Sequence, residues 1–189
     1  MNIKNLIIGK RSNLSKVLNL HIPNSVILST TEILEKKFKR NYFVKKNNIN
    51  LIINSFFPSY KLNKISNYEV FINKAILDIT KILNVFPAKK INKIIFTSSS
   101  SVNFLDKISL NQSKYTNREI YSLTKILCEK IIIKFSKNNN IQYIITRPYN
   151  IYGGDETFSM IYKIIKSYKM KEILTINNNG QAVRDFIHV

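Results

Sequence analysis

Tyr121 and Lys125 stand four residues apart in the stretch Arg118-Glu-Ile-Tyr-Ser-Leu-Thr-Lys-Ile-Leu-Cys-Glu-Lys130, which reads as a helix. Both side chains then project from one face. A phenol beside an ammonium is a proton-transfer device. The positive charge favours phenolate, so the pair is expected to bring the tyrosine pKa down toward the working range. Upstream, Ile94-Ile-Phe-Thr-Ser-Ser-Ser-Ser101 reads as a strand that ends in hydroxyls able to hydrogen-bond a substrate oxygen. Serine, tyrosine and lysine in this order suggest hydride chemistry at an alcohol or ketone. The spacing alone is a weak signal, because a helical Tyr and Lys four apart is more often a surface pair.

These residues need a frame. Short β-branched apolar runs occur at Asn5–Ile8, Ser25–Leu28, Ile49–Ile53, Lys93–Phe96 and Ile141–Thr146. They are apolar on both faces, as buried parallel strands are. Helix-like segments alternate with them, at Asn13–Leu20, Thr31–Arg40, Tyr68–Val85 and Thr116–Lys137. The alternation predicts an α/β fold with a doubly wound parallel sheet and helices on both faces. About twenty residues separate the second and third runs, room for one helix but not for a helix and another strand. A strand common in nucleotide-binding sheets is therefore expected to be absent or reduced. No Pro/Gly/Ser linker divides the chain.

Composition narrows the classes. The 189 residues suffice for one sizeable core, and no segment is long and apolar enough to span a membrane. A single cysteine, Cys128, allows neither an internal disulfide nor a cysteine metal cluster. It is read as a packing residue and suits a reducing cytoplasm; no metal site is expected. The net charge is +19. The lysines spread along the whole chain with abundant Asn and Ile and form no arginine-rich block or nucleic-acid motif. The charge is therefore expected to favour anionic small ligands rather than specific nucleic-acid binding.

After the first strand comes Gly9-Lys-Arg-Ser12-Asn-Leu-Ser15. Glycines in such a strand–loop–helix unit let backbone amides approach a pyrophosphate at the helix N-terminus. Here Ser12 and Ser15 stand where further glycines would be expected. Other landmarks follow in order: Phe71-Ile-Asn73-Lys-Ala-Ile-Leu, Ile95-Phe-Thr-Ser-Ser-Ser-Ser-Val102, Tyr121-x-x-x-Lys125, Thr146-Arg-Pro-Tyr-Asn-Ile-Tyr-Gly153 and Gly180-Gln-Ala-Val-Arg-Asp-Phe-Ile-His-Val189. Together they resemble the extended short-chain dehydrogenase/reductase family, the NAD-dependent epimerases, dehydratases and 4-keto reductases of nucleotide sugars. The resemblance runs over nearly the whole chain, and its last two motifs are specific.

The resemblance implies a Rossmann-like NAD(P)-binding domain over residues 1–148 and a partial substrate-binding region over 149–189. It implies that Tyr121 is the general acid/base, that Lys125 holds the nicotinamide ribose, and that Ser99, three positions before Val102, hydrogen-bonds the same substrate oxygen. Asn73 would support Lys125, directly or through water. Gly9, Ser12 and Asn13 would line the pyrophosphate, and Tyr149 would lie near the nicotinamide. Asn150 and Arg184 would contact the nucleotide-sugar diphosphate. Family dehydratases carry an Asp-Glu pair after the catalytic Ser/Thr. Here Ser100 and Ser101 follow Ser99, which leaves an epimerase or a 4-keto reductase. Arg11, and the lack of an acid after the second strand before Glu32, favour NADP over NAD. Relatives often form homodimers through paired helices, and Thr116–Lys137 is a candidate for that role.

Three departures from the family pattern carry expectations of their own. Two loop glycines are serines. Asn54-Ser-Phe-Phe57 stands where the family has small residues, so Phe56 or Phe57 is expected to crowd the cofactor. The chain stops at Val189, before the family's remaining elements. It is therefore expected to be C-terminally truncated, with an apolar sheet edge or helix face uncovered. A catalytically impaired dinucleotide-binding remnant is the alternative function.

Overall fold

In a computed structural model of the protein, residues 2–35, 47–57, 62, 67–107 and 115–189 are described. The chain divides into two compact units, Met1–Arg147 and Pro148–Val189.

The first unit is an α/β fold built on a five-stranded parallel sheet. Its strands are β1 (Asn2–Ile8), β2 (Ser25–Leu28), β3 (Asn47–Ile53), β4 (Ile91–Thr97) and β5 (Gln142–Thr146), in the order β2-β1-β3-β4-β5. The helices between them are α1 (Asn13–His21), α2 (Thr30–Leu34), α3 (Tyr68–Leu83) and α4 (Asn117–Asn138). Strand periodicity explains the two covered faces. Leu6, Ile8, Leu51 and Ile53 point into the main core, while Ile7 and Ile52 point to the other face and are buried there too. From α3, Phe71, Ala75, Ile79, Ile82 and Leu83 join this core at helical spacing, and from α4 Ile120, Cys128 and Ile132 do the same.

The order β2-β1-β3-β4-β5 is that of a Rossmann-like, doubly wound sheet. The chain starts centrally, moves out to β2, then crosses back to β3, so the loops after β1 and β3 leave the same end of the sheet in opposite directions. Each expected strand run lies within an observed strand or overlaps it. β5 differs in burial, because it is an edge strand whose Tyr143 and Ile144 are exposed. For the second helix, described structure ends with Thr30–Leu34 and Glu35 extended; residues 36–40 of the expected span lie outside the described residues.

Two helix starts follow directly from sequence. Thr116 and Glu119 form a capping box at α4, and Ser29 and Glu32 form another at α2. In each, the hydroxyl takes the amide three residues on and the carboxylate takes the cap's own amide. The α4 cap fixes where the helix begins and so which face Tyr121 and Lys125 present.

In the second unit, β6 (Asn150–Tyr152) pairs in parallel with β7 (Phe186–His188), and α5 (Met160–Met170) lies between them in sequence. The two specific motifs of the sequence are thus partners in one small sheet. Gly153 has φ +98°, and a Cβ there would fall 2.6 Å from His188 Nε2, so only glycine lets the imidazole close on Tyr152. Glu156 is buried and accepts hydrogen bonds from the Phe158 and Ser159 amides and the Ser159 hydroxyl, while Ser159 caps α5.

Candidate active site

The Tyr121–Lys125 face of α4 lies over the C-terminal end of β4. Lys125 is only 4% exposed and donates a hydrogen bond to the Thr97 carbonyl at 2.8 Å. Its ammonium lies 5.6 Å from the Phe57 ring centroid, 5.0 Å from that of Phe96 and 5.7 Å from that of Tyr121. Cation–π attraction offsets part of the cost of removing this charge from water. Burial brings the Lys125 amine down to about 8, against smaller upward pulls from Cys128 and Glu129. Burial also pushes the Tyr121 phenol up. That corrects the expectation that Lys125 lowers the tyrosine: desolvation sets the direction, so the pair at neutral pH is a neutral phenol beside a buried ammonium. The Cys128 thiol is pushed up to about 12 by burial, which suits the packing role read for it.

Ser99 begins the turn after β4, just before a 3₁₀ helix spanning Ser100–Lys107. Its hydroxyl oxygen accepts from the Ser101 amide at 3.2 Å and the Ser101 hydroxyl at 2.9 Å. Neither contact uses the Ser99 proton, which remains available for an oxygen of a substrate. Next to it, the buried Ser98 hydroxyl has no hydrogen-bond partner among the described residues. Four serines in a row carry no burial signal, so the sequence does not single out this one.

Asn73 is not brought to Lys125. It is exposed, about 200° round α3 from Phe71 and 200° from Ala75, both of which are buried. Phe71 is the residue of that motif that faces the site, and its ring packs edge-on against Phe57 at 5.4 Å. The Thr97 carbonyl accepts the hydrogen bond from Lys125 that Asn73 was expected to support. Phe57 also contacts Tyr121, at 6.5 Å between ring centroids. The aromatic wall of Phe57, Phe71 and Phe96 is the part of the site that motif reading under-weighted; its sequence signal was the Phe56-Phe57 departure.

The loop after β1 retains the shape of a diphosphate cradle. Gly9 has φ +124°, and a Cβ would fall 2.7 Å from the Ser55 carbonyl oxygen and 2.8 Å from the Ser55 amide nitrogen. The two serines are accommodated by Asn54. Its side-chain amide donates to Ser12 at 2.9 Å and to the fully buried Ser15 at 2.7 Å. Because its hydroxyl is drawn to Asn54, Ser12 adds no side-chain cap to α1. The first-turn amides of α1 keep the orientation that an anion uses. Lys10 and Arg11 are exposed beside this loop. Lys10 pairs with Glu32 at 2.6 Å, and that bond, with the Ser29 amide and hydroxyl, holds the Glu32 carboxyl down at about 2. The diphosphate half of a dinucleotide fits these residues. At the other half, Lys125 is enclosed by rings.

In the second unit, Asn150 donates from its side chain to the Asp185 carbonyl at 2.9 Å and from its amide to the same oxygen at 3.3 Å. Tyr149 is 52% exposed, and Arg184 is exposed.

Residues 6–189 match the NAD dependent epimerase/dehydratase family. The chain belongs to this family. Among curated relatives, the uncharacterized UDP-glucose epimerase YtcB of Bacillus subtilis (strain 168) is 29% identical over 112 residues. That stretch covers 58% of this chain and 35% of the relative, so the match spans about a third of the relative's length. Among solved structures, the fold is similar to UDP-N-acetylglucosamine 4-epimerase from Methanobrevibacter ruminantium M1, in complex with UDP-N-acetylmuramic acid. The TM-score is 0.71 at 18% identity, covering 100% of this chain and 70% of that one. UDP-glucuronic acid 4-epimerase from Bacillus cereus, in complex with UDP-glucuronic acid and NAD, gives 0.69 at 16% identity, covering 98% of this chain and 69% of that one. A GDP-L-fucose synthetase from Naegleria fowleri bound to NADP gives 0.69 at 15%, covering 99% and 69%. At these identities the structural likeness establishes the fold alone. Family membership accounts for the order of the landmarks along the chain.

Proposed function

We propose that this epimerase/dehydratase-family protein is an NAD(P)-dependent nucleotide-sugar epimerase or 4-keto reductase in which Tyr121 is the general acid/base. The observation that carries this reading is the shared face of α4: Tyr121 and Lys125 lie together over the end of β4, beside the Ser99 turn. The nicotinamide, when bound, supplies the hydride acceptor or donor at the sugar carbon. The chain handles the proton. As a neutral phenol Tyr121 gives its proton to the carbonyl oxygen on reduction; an oxidation step needs it first as phenolate, which then takes the proton from the sugar hydroxyl, and Ser99 donates a hydrogen bond to that oxygen. Gly9, Ser12, Asn13 and the first turn of α1 would hold the diphosphate, and Lys125 the nicotinamide ribose. Tyr149, Asn150 and Arg184 are assigned to the nicotinamide side and the sugar-nucleotide diphosphate on the family pattern.

NADP is preferred over NAD. The nearest acid to β2, Glu32, is committed to Lys10 and to its own helix cap, while Arg11 is exposed beside the loop. An uncommitted cation without a free carboxylate suits a 2′-phosphate better than bare ribose hydroxyls.

Tyr121→Phe is expected to lower turnover of UDP-glucose, UDP-N-acetylglucosamine or UDP-glucuronic acid by at least about 100-fold, within the range of general acid/base contributions. NADPH affinity, followed by its fluorescence, should stay within about threefold, since a phenol proton is not a cofactor ligand. Turnover equal to the parent protein's in this variant would refute the assignment.

One observation favours the second reading, a catalytically impaired dinucleotide-binding module. The Phe57 and Phe96 rings and the Thr97 carbonyl already satisfy Lys125. In that case NADPH or NADH binds tightly and saturably and no nucleotide sugar is turned over. Turnover of any nucleotide sugar excludes it.

A further inference from the structure

Glu129 lies four residues beyond Lys125 and eight beyond Tyr121, on the same face of α4. It is 2% exposed. Both carboxylate oxygens are taken by one guanidinium: Arg147 Nε donates to Oε1 at 3.0 Å and Nη2 to Oε2 at 2.6 Å. Two parallel bonds of this kind fix angle as well as distance. The remaining arm, Nη1, donates to Asn103 Oδ1 at 2.9 Å. Arg147 directly follows β5, and Thr146 before it accepts the Ser98 amide at 2.7 Å. Asn103 lies in the 3₁₀ helix that opens just after Ser99. One planar cation therefore joins the helix carrying Tyr121 and Lys125 to the turn carrying Ser99, through the end of β5.

We infer that Glu129 and Arg147 are positioning residues of this site, a fork that sets the Ser99 turn against the Tyr121–Lys125 face. The inference rests on the proposed function for its kinetic consequence but not for its structural one. A buried ion pair is weak evidence for stability, since apolar replacements of similar volume are often neutral. Geometry is what the fork supplies and an apolar pair does not. A displacement of about 1 Å at a catalytic group is enough for a loss of roughly 100-fold.

The test uses three variants of the full chain. Asn103→Ala removes only the third arm. The double variant Glu129→Leu/Arg147→Met replaces the fork by apolar packing, and Arg147→Lys keeps the charge without the fork. Hydrogen exchange is read over residues 98–103, and kcat and KM are read on UDP-glucose, UDP-N-acetylglucosamine and UDP-glucuronic acid. Expected are faster exchange of that segment in Asn103→Ala and in the double variant. For kcat, a fall of about 10- to 100-fold is expected at nearly constant KM, with partial recovery in Arg147→Lys. A double variant as stable as the parent that remains slow separates positioning from mere support of the fold. Unchanged exchange in folded Asn103→Ala and double variants overturns the inference whether or not the protein turns over a sugar, as does kcat within twofold of the parent. A parent protein with no turnover refutes the proposed function instead, and the exchange measurement still decides the fork.

Discussion

Lys125 shows how one residue sets both chemistry and stability. The folded amine sits at about 8, below its ordinary 10.5, so the unfolded chain binds this proton more tightly. Below pH 8 both states are protonated and the burial penalty is fully present. Between pH 8 and 10.5 the unfolded state alone retains the proton, and the contribution of this group to stability rises with pH. Lys125→Met removes the charge and keeps most of the volume. It should stabilise the protein at pH 7 by about 1–2 kcal/mol, the relieved desolvation less roughly 1 kcal/mol for the unpaired Thr97 carbonyl. The difference from the parent should shrink as pH rises from 8 to 10.5, followed by urea unfolding at each pH. A variant less stable than the parent at pH 7 would mean that the rings and the Thr97 bond outweigh burial. That Tyr121 and Lys125 share a face was legible from their spacing. The direction of the tyrosine shift was not, because spacing reports the neighbouring charge and says nothing of how little water reaches the phenol.

At the scale of elements, the tie between the loop after β1 and the end of β3 decides how a serine-substituted phosphate loop closes. Asn54 spends both amide hydrogens on Ser12 and Ser15. Asn54→Ala should leave the buried Ser15 hydroxyl without its donor and cost about 1–3 kcal/mol, the penalty for stranding a buried polar group. Chemical denaturation checks this, and a loss under about 0.5 kcal/mol would show that the loop holds without the tie. Combining it with Ser15→Ala should recover part of the loss, since no polar atom is then stranded. The strands and helices themselves were readable from β-branched runs and 3.6-residue periodicity, and so was the sheet class. The Asn54 bridge was hidden, because its partners lie about forty positions away in sequence. The exposure of Asn73 has a more local cause. An asparagine near the right place in a motif attracted the role, whereas helix phase turns it outward and brings Phe71 in.

For the whole molecule the governing quantity is charge. Thirty Lys and Arg oppose eleven Asp and Glu, leaving +19 on 189 residues. Self-repulsion at this density should weaken the compact state at low ionic strength. Raising NaCl from about 20 mM to about 300 mM contracts the screening length severalfold. The melting temperature is expected to rise by several degrees over that range, read by calorimetry at pH 7. A fall would point to the ion pairs, Lys10–Glu32 and Arg147–Glu129 among them, as the dominant charge effect.

The sequence alone determined the strand–helix alternation, the order of the family landmarks and the presence of Tyr121, Lys125 and Ser99, since these depend on residue type and local spacing. Tertiary structure alone decided which rings and carbonyl enclose Lys125. It also decided that Asn54 closes the serine loop and that Arg147 forks onto Glu129. The physical reason is the same in each case. Burial and hydrogen-bond partnership are set by groups distant in sequence and adjacent in space, and those adjacencies exist only once the sheet has brought the ends of its strands together.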